Sequence, residues 1–225
     1  RQRIGNSRTM IGHDFTLSGA KLTALSSGAL YWADQNLLCV SDLHLGKSER
    51  HARRGGPTLP PYDTLDTLNR LTADLQRSQA TTVICLGDSF DDDAAAQAVP
   101  QAERDWIIDL TGARRWFWIS GNHDPAPLDL PGEQHHSLVI GPISFRHIAQ
   151  PDASAEISGH YHPKAQLRGA SRPAFLLDTQ RLILPAYGTY TGGLRSTDPA
   201  LLAVMGPRAV AILTGSPPLV IPMPR

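Results

Sequence analysis

Three short apolar runs, Leu37-Leu38-Cys39-Val40, Val83-Ile84-Cys85-Leu86 and Trp116-Phe117-Trp118-Ile119, each lead into a polar motif: Asp42-Leu43-His44, Gly87-Asp88 and Gly121-Asn122-His123-Asp124. Apolar runs of this length, without alternation, read as strands buried on both faces of a sheet. If these strands are parallel, the loops at their carboxyl ends open on one side, where open α/β folds bind ligands. A fourth motif, Gly159-His160-Tyr161-His162, adds two imidazoles. Mixed carboxylate, amide and imidazole donors suit borderline divalent cations such as manganese, iron and zinc, whereas magnesium and calcium sites are built almost wholly from oxygen. The donors suffice for two ions, and the chemistry they point to is metal-assisted phosphoester hydrolysis.

Around these motifs the first half of the chain alternates strand and helix. Phe15 to Trp32 is broken by Ser18-Gly19 and Ser26-Ser27-Gly28 and reads as small strands leading into the first central one. A helix is expected from Tyr62 to Arg77, with Leu65, Leu68, Leu71 and Leu75 on one stripe, Asp63 in the first turn and Pro60-Pro61 just before. Another is expected from Gln101 to Leu110, after Pro100 and stopping before Gly112. The second half looks mostly β. Its strand-like runs are Ser137 to Ile140, Ile143 to Ile148, Phe175 to Leu177, Leu182 to Leu184, Leu201 to Met205 and Ala209 to Leu213.

A chain of 225 residues is long enough to bury a full core and is read as one domain over 1–225, with the Arg-rich residues 1 to about 10 as a flexible terminus. Lys plus Arg and Asp plus Glu both number 21, which argues against the global positive field of a protein that coats nucleic acid. No stretch approaches the roughly 18 consecutive apolar residues of a membrane span, and no secretory apolar core is evident near the N-terminus, so a cytoplasmic protein without membrane contact is expected. Cys39 and Cys85 each lie three residues before a motif aspartate within apolar runs and are read as core thiols that could lie close together, with a disulfide not expected.

The ordered set Asp42-x-His44, Gly87-Asp88-x-x-Asp91, Gly121-Asn122-His123-Asp124, a lone His147 and Gly159-His160-x-His162 resembles the calcineurin-like metallophosphoesterase superfamily. The segments Ala29 to Trp32, Ser41 to Lys47 and Pro185 to Gly193 are similar to the ligase-associated DNA damage response endonucleases of the PdeM family. The resemblance implies an α/β sandwich of two mixed β-sheets flanked by helices. It implies that Asp42, His44, Asp88 and His162 hold one metal and Asp88, Asn122, His147 and His160 the other, with Asp88 bridging them. His123 would act on the phosphate or leaving-group oxygen as acid or charge stabiliser, and Asp124 would orient its ring. The ions would be two divalent cations, manganese first, with iron, zinc or magnesium as alternatives. The substrate implied is DNA, in repair, with a DNA ligase, helicase and exonuclease as partners.

Other residues divide between functional and ordinary readings. His147 lacks a glycine motif and competes with a satisfied core histidine. Lys47, Arg50, Arg53 and Arg54 form a basic cluster opposed only by Glu49; Lys47, Arg50 and Arg54 are candidates to grip phosphates beside the scissile one, against a solvated helix or loop face. Tyr187 and Tyr190 could stack on a base or simply pack. His13, His51, His135 and His136 are read as surface or structural, and Asp91 as support of the Asp88 loop, with Asp91 to Asp93 otherwise an acidic loop beside a metal centre. PdeM-like sequences often carry a histidine in that loop, and this chain has none. Two rival functions stand beside DNA hydrolysis: a hydrolase of a nucleotide-sugar lipid pyrophosphate or other small nucleotide-type ester, and a non-catalytic metal-bound scaffold in a repair complex. No apolar acyl-binding insertion is evident for the first, and retention of His123 with the full donor set argues against the second.

Overall fold

The computed structural model describes residues 10–56, 59–123 and 129–224. Residues 1–9, most of the stretch read as flexible, and Asp124 lie outside the described residues. A first sheet runs in chain order: β1 (Gly12–Leu17), β2 (Ala20–Leu25), β3 (Leu30–Trp32), β4 (Leu37–Val40), β5 (Thr82–Leu86), β6 (Arg115–Ile119) and β7 (Glu133–His135). β1 to β4 pair antiparallel, and β4 to β7 pair parallel. Parallel neighbours need crossovers; these carry α1 (Lys47–Arg53) and α2 (Asp63–Ser78) between β4 and β5, and α3 (Asp93–Ala98) and α4 (Gln101–Gly112) between β5 and β6.

The second sheet contains β8 (Ser137–Ile140), β9 (Ile143–Arg146), β10 (Glu156–Ser158), β11 (Lys164–Leu167), β12 (Ala170–Leu177), β13 (Arg181–Ile183), β14 (Val210–Leu213) and β15 (Leu219–Pro222), with α5 (Pro199–Val204) before β14. Its order is β15-β14-β12-β13-β10-β9-β8, with β11 paired to β12. β10 is parallel to both β9 and β13, and the outer pairs are antiparallel.

The alternation of side chains along each strand explains why the three apolar runs are unbroken. Leu37, Cys39, Ile84, Leu86, Phe117 and Ile119 face the second sheet, where they meet Phe145, Ile157, Phe175, Leu182 and Ile212. The residues between them, Leu38, Val40, Val83, Cys85, Trp116 and Trp118, face Leu68, Leu71 and Leu75 of α2 and Ile107 of α4. Both faces are covered, so both sets must be apolar. A third cluster covers the outer face of the second sheet, where Leu176, Ile183, Ala211 and Leu213 meet Leu201 of α5. Ile157 is fully buried between the sheets, so Ile157→Ala is expected to cost ~2–5 kcal/mol, read as a lower urea midpoint with unchanged slope.

Several expectations are corrected. Leu201 to Met205, read as a strand, lies mostly in α5: Asp198 accepts from the Ala200 N–H at 2.9 Å and Pro199 opens the helix, an N-terminal signal that outweighs the apolar run. The helix expected to stop before Gly112 includes it. Leu65 leaves the stripe of α2 and is 37% exposed. The Cys39 and Cys85 strands are adjacent, but Cys85 pairs with Val40 and Cys39 with Ile84, so the one-residue offset turns the thiols to opposite faces of the sheet. Strands β7, β10 and β11 are short and carry charged or polar residues, which hides them from a hydrophobic pattern. Among the described residues no helix is long and apolar enough to cross a membrane.

Candidate metal centre

The four motifs sit at the carboxyl ends of parallel strands in both sheets. Asp42 follows β4, Asp88 follows β5 and Asn122 follows β6, while His147 follows β9 and His160 and His162 follow β10. Main-chain bonds lace these loops together. The His44 N–H donates to Asp88 O at 2.9 Å, the Gly159 N–H to His147 O at 2.9 Å, and the Tyr187 N–H to Ser41 O at 2.8 Å. Asp42, His44, Asp88, His160 and His162 all take positive φ, between 44° and 70°. A non-glycine residue there costs ~1–3 kcal/mol, and such strain is kept where the surroundings impose a functional geometry. Gly159 is required by close approach: a Cβ would overlap Ser41 Oγ and Asp42 Oδ2.

Two triads of donors form. Asp42, His44 and His162 make one, and Asp88, His147 and His160 the other; within each, the donor atoms all lie within 4.8 Å of one another. In the first, His162 Nε2 lies 3.1 Å from Asp42 Oδ1 and 3.3 Å from His44 Nε2. In the second, His147 Nε2 lies 3.4 Å from Asp88 Oδ2, 3.0 Å from Asn122 Oδ1 and 3.3 Å from His160 Nδ1. Asp88 Oδ2 is also 3.9 Å from His44 Nε2, which places this carboxylate between the triads. All seven sequence candidates for metal ligation, Asp42, His44, Asp88, Asn122, His147, His160 and His162, are therefore brought together.

The donor set fits a cation. Asp42 Oδ1 is buried and makes no hydrogen bond, yet nitrogen lone pairs converge beside it. Buried acceptors facing one another without a shared proton are costly unless a positive charge lies among them. The rings are also oriented from behind. His147 Nδ1 donates to Leu86 O at 2.8 Å, and His44 Nδ1 lies 2.9 Å from Asp91 Oδ1, so each ring turns Nε2 inward. This second contact of His147 gives the lone histidine the orientation that a ligand needs.

A third grouping, His44, Asp91 and His123, also has close donor atoms. Its carboxylate is already engaged, because Asp91 receives Lys47 Nζ at 3.1 Å and Arg50 Nη1 at 2.8 Å besides His44. Asp91 thus holds His44 and α1 together. Outer contacts of this kind sustain metal affinity by roughly 10–100-fold, so Asp91→Asn is expected to weaken metal binding by that factor while the fold persists, as read by metal titration beside circular dichroism.

The carboxylates are held ionised. Burial pushes Asp88 up, but the His147 contact, the His123 N–H and the His44 ring outweigh it and keep the acid well below the ordinary range. Asp42 is likewise lowered against burial by His162, His147 and Ser41, and Asp91 against burial by His44, Arg50 and Lys47. For His147, burial works downward, but Asp88 and Asp42 lift it to about 9.

His123 sits over the same centre: its N–H donates to Asp88 Oδ1 at 2.8 Å and its Nδ1 meets Asp91 O at 2.9 Å. The expected orienting partner, Asp124, lies outside the described residues, and within them Nδ1 is engaged by the Asp91 carbonyl. The basic cluster is matched by acids. Besides the Asp91 pairs, Arg53 and Arg54 reach Asp92 at 2.8 and 3.5 Å. Tyr187 is fully buried with its hydroxyl donating to Asp74 at 2.8 Å, which excludes it as a stacking platform, whereas Tyr190 is 40% exposed. Sequence reasoning missed Ser41, whose hydroxyl donates to Asp42 Oδ2, and the Leu86 carbonyl behind His147. The position of Ser41 just before the first motif was the available signal for the former; the latter had none.

A model of the family described as calcineurin-like phosphoesterase matches residues 36–184, which includes every one of these motifs. The chain belongs to the calcineurin-like phosphoesterase family. With the family's use of divalent metals and the clusters described above, it is a metal-dependent phosphoesterase. It is similar to the crystal structure of Pseudomonas putida nuclease MPE, with 29% identity and a TM-score of 0.73 over 92% of this chain and 100% of that one. Yfce, a phosphoesterase from E. coli, is aligned at 13% identity and a TM-score of 0.39, over 84% of this chain and 99% of that one. No curated protein sequence matches the chain.

Proposed function

We propose that this calcineurin-like phosphoesterase is a two-metal phosphodiesterase acting on DNA, with manganese as its working ion. The observation that carries the two-ion reading is Asp88, one buried carboxylate within 3.9 Å of imidazole nitrogens from both triads. In this reading Asp42, His44, Asp88 and His162 hold one ion, and Asp88, Asn122, His147 and His160 hold the other. Two such ions, when bound, polarise the phosphoryl oxygen and acidify water.

The chain's own side chains do the rest. His123 is assigned to the leaving-group oxygen, where its ring supplies a proton or stabilises developing charge. Asp91 fixes His44, and Lys47 and Arg50 act through Asp91. Arg54, with its side chain 59% exposed and a 3.5 Å contact to Asp92, is the member of the basic cluster assigned to a more distant phosphate. DNA as substrate is supported by the likeness to a protein named as a nuclease over nearly the whole chain, and by the PdeM-like segments. The PdeM resemblance supports a repair role beside a ligase, helicase and exonuclease.

The test is a panel of single-stranded DNA, duplex DNA, RNA and a simple phosphodiester, assayed with manganese, iron, zinc, magnesium and chelator. Cleavage of DNA that is greatest with manganese and vanishes with chelator is the expected result. Hydrolysis confined to small esters would overturn the DNA reading, and activity undiminished by chelator would overturn the metal reading.

A further inference from the structure

The surface beside the metal centre is electrostatically uneven. On the α1 side, Lys47, Arg50, Arg53 and Arg54 are answered by Asp91 and Asp92. On the other side, a cavity of about 310 Å³ opens against Asn122 and His147, and Arg146, His136, Ser120 and Gln150 also line it. No carboxylate is among its described lining residues.

Arg146 is held from behind. Its Nε lies 3.0 Å from Oε2 of the fully buried Glu156, while its side chain remains 30% exposed. Glu156 is itself fixed, accepting the Gln150 N–H at 3.2 Å and lying 3.8 Å from Arg181 Nη1. A guanidinium anchored through one nitrogen keeps two terminal nitrogens, and that planar pair matches two oxygens of a phosphate. Among the described residues, Glu156 is the one carboxylate paired with Arg146.

We infer that Arg146 and this cavity form a subsite for the phosphate and sugar adjoining the scissile phosphodiester of a nucleic-acid strand. The inference rests on the DNA reading and deepens it: the cation that grips the phosphate next to the scissile one lies on the His147 side, just before that ligand in sequence. A small phosphodiester ends before reaching this cavity; a strand continues into it.

The test compares a short single-stranded DNA with bis(p-nitrophenyl) phosphate in manganese, for the parent, Arg146→Gln and Arg146→Lys. Hydrogen bonds to charged groups are worth enough that Arg146→Gln should raise KM for DNA about tenfold more than it affects the small ester, with kcat for DNA little changed. Its KM for DNA should also rise less steeply with salt, by roughly 0.7 in the log–log slope for one lost contact on a single strand. Arg146→Lys keeps a cation beside Glu156 and should recover part of the loss, since an ammonium lacks the fork. Thermal unfolding and manganese content monitor each variant. Equal losses on both substrates in both variants, or an unchanged KM for DNA, would overturn the subsite. A parent that cleaves DNA while Arg146→Gln cleaves it equally well sinks the subsite alone, whereas a parent inert on DNA but active on the ester sinks the DNA reading and the subsite with it.

Discussion

Asp88→Asn is expected to abolish hydrolysis and to strip the protein of both metal ions. The carboxylate is buried, receives the His123 N–H at 2.8 Å, and lies 3.4 Å from His147 Nε2 and 3.9 Å from His44 Nε2. An amide of the same shape keeps one oxygen but loses the charge, and it places an NH2 donor among nitrogens that must face a cation. The loss should exceed the roughly 10²–10³-fold caused by removing one donor to a transition state, because both ions depend on this one group. His147→Ala should be milder, since it removes a donor from one triad only. Elemental analysis after desalting, beside turnover of a simple phosphodiester, separates the cases. Two ions retained in Asp88→Asn would refute the bridging role.

His123→Ala is expected to keep the fold and both ions yet lose turnover by roughly 10²–10⁴-fold, the range for a positioned acid or base. Its ring is bound through Nδ1 to the Asp91 carbonyl, and its main-chain N–H, which supports Asp88, survives the substitution. The ring can therefore be deleted without dismantling either triad. Manganese content measured together with kcat decides the matter: loss of metal in step with activity would make His123 a ligand and overturn its catalytic assignment.

These two predictions depend on different levels of information. The residue types, their order and their position after apolar runs are properties of the chain, and they were enough to mark the candidate metal donors and the strands that end beside them. Three runs without alternation required strands covered on both faces, and β4, β5 and β6 are such strands because the second sheet lies on one side and α2 and α4 on the other. The matching of Leu201 with a helix was also written locally, in Asp198-Pro199, but the apolar run concealed it.

What the chain alone left open was every choice that depends on direction and pairing. The Cys39 and Cys85 offsets looked equivalent until parallel register turned one thiol to each face. The basic cluster looked ready for phosphate until folding set Asp91 and Asp92 against it, because residues some 40 positions apart become neighbours only when the β4 and β5 loops meet. Tyr187 and Tyr190 carry the same ring, yet Asp74 draws one into the core and the other remains at the surface. Sequence by itself determined which donors exist and which strands end beside them, since motif chemistry and hydrophobic coverage are local. Only the tertiary structure decided which nitrogen each histidine turns inward, which cations are neutralised, and that Arg146 borders the site. Those properties arise from contacts between distant segments and have no local signature.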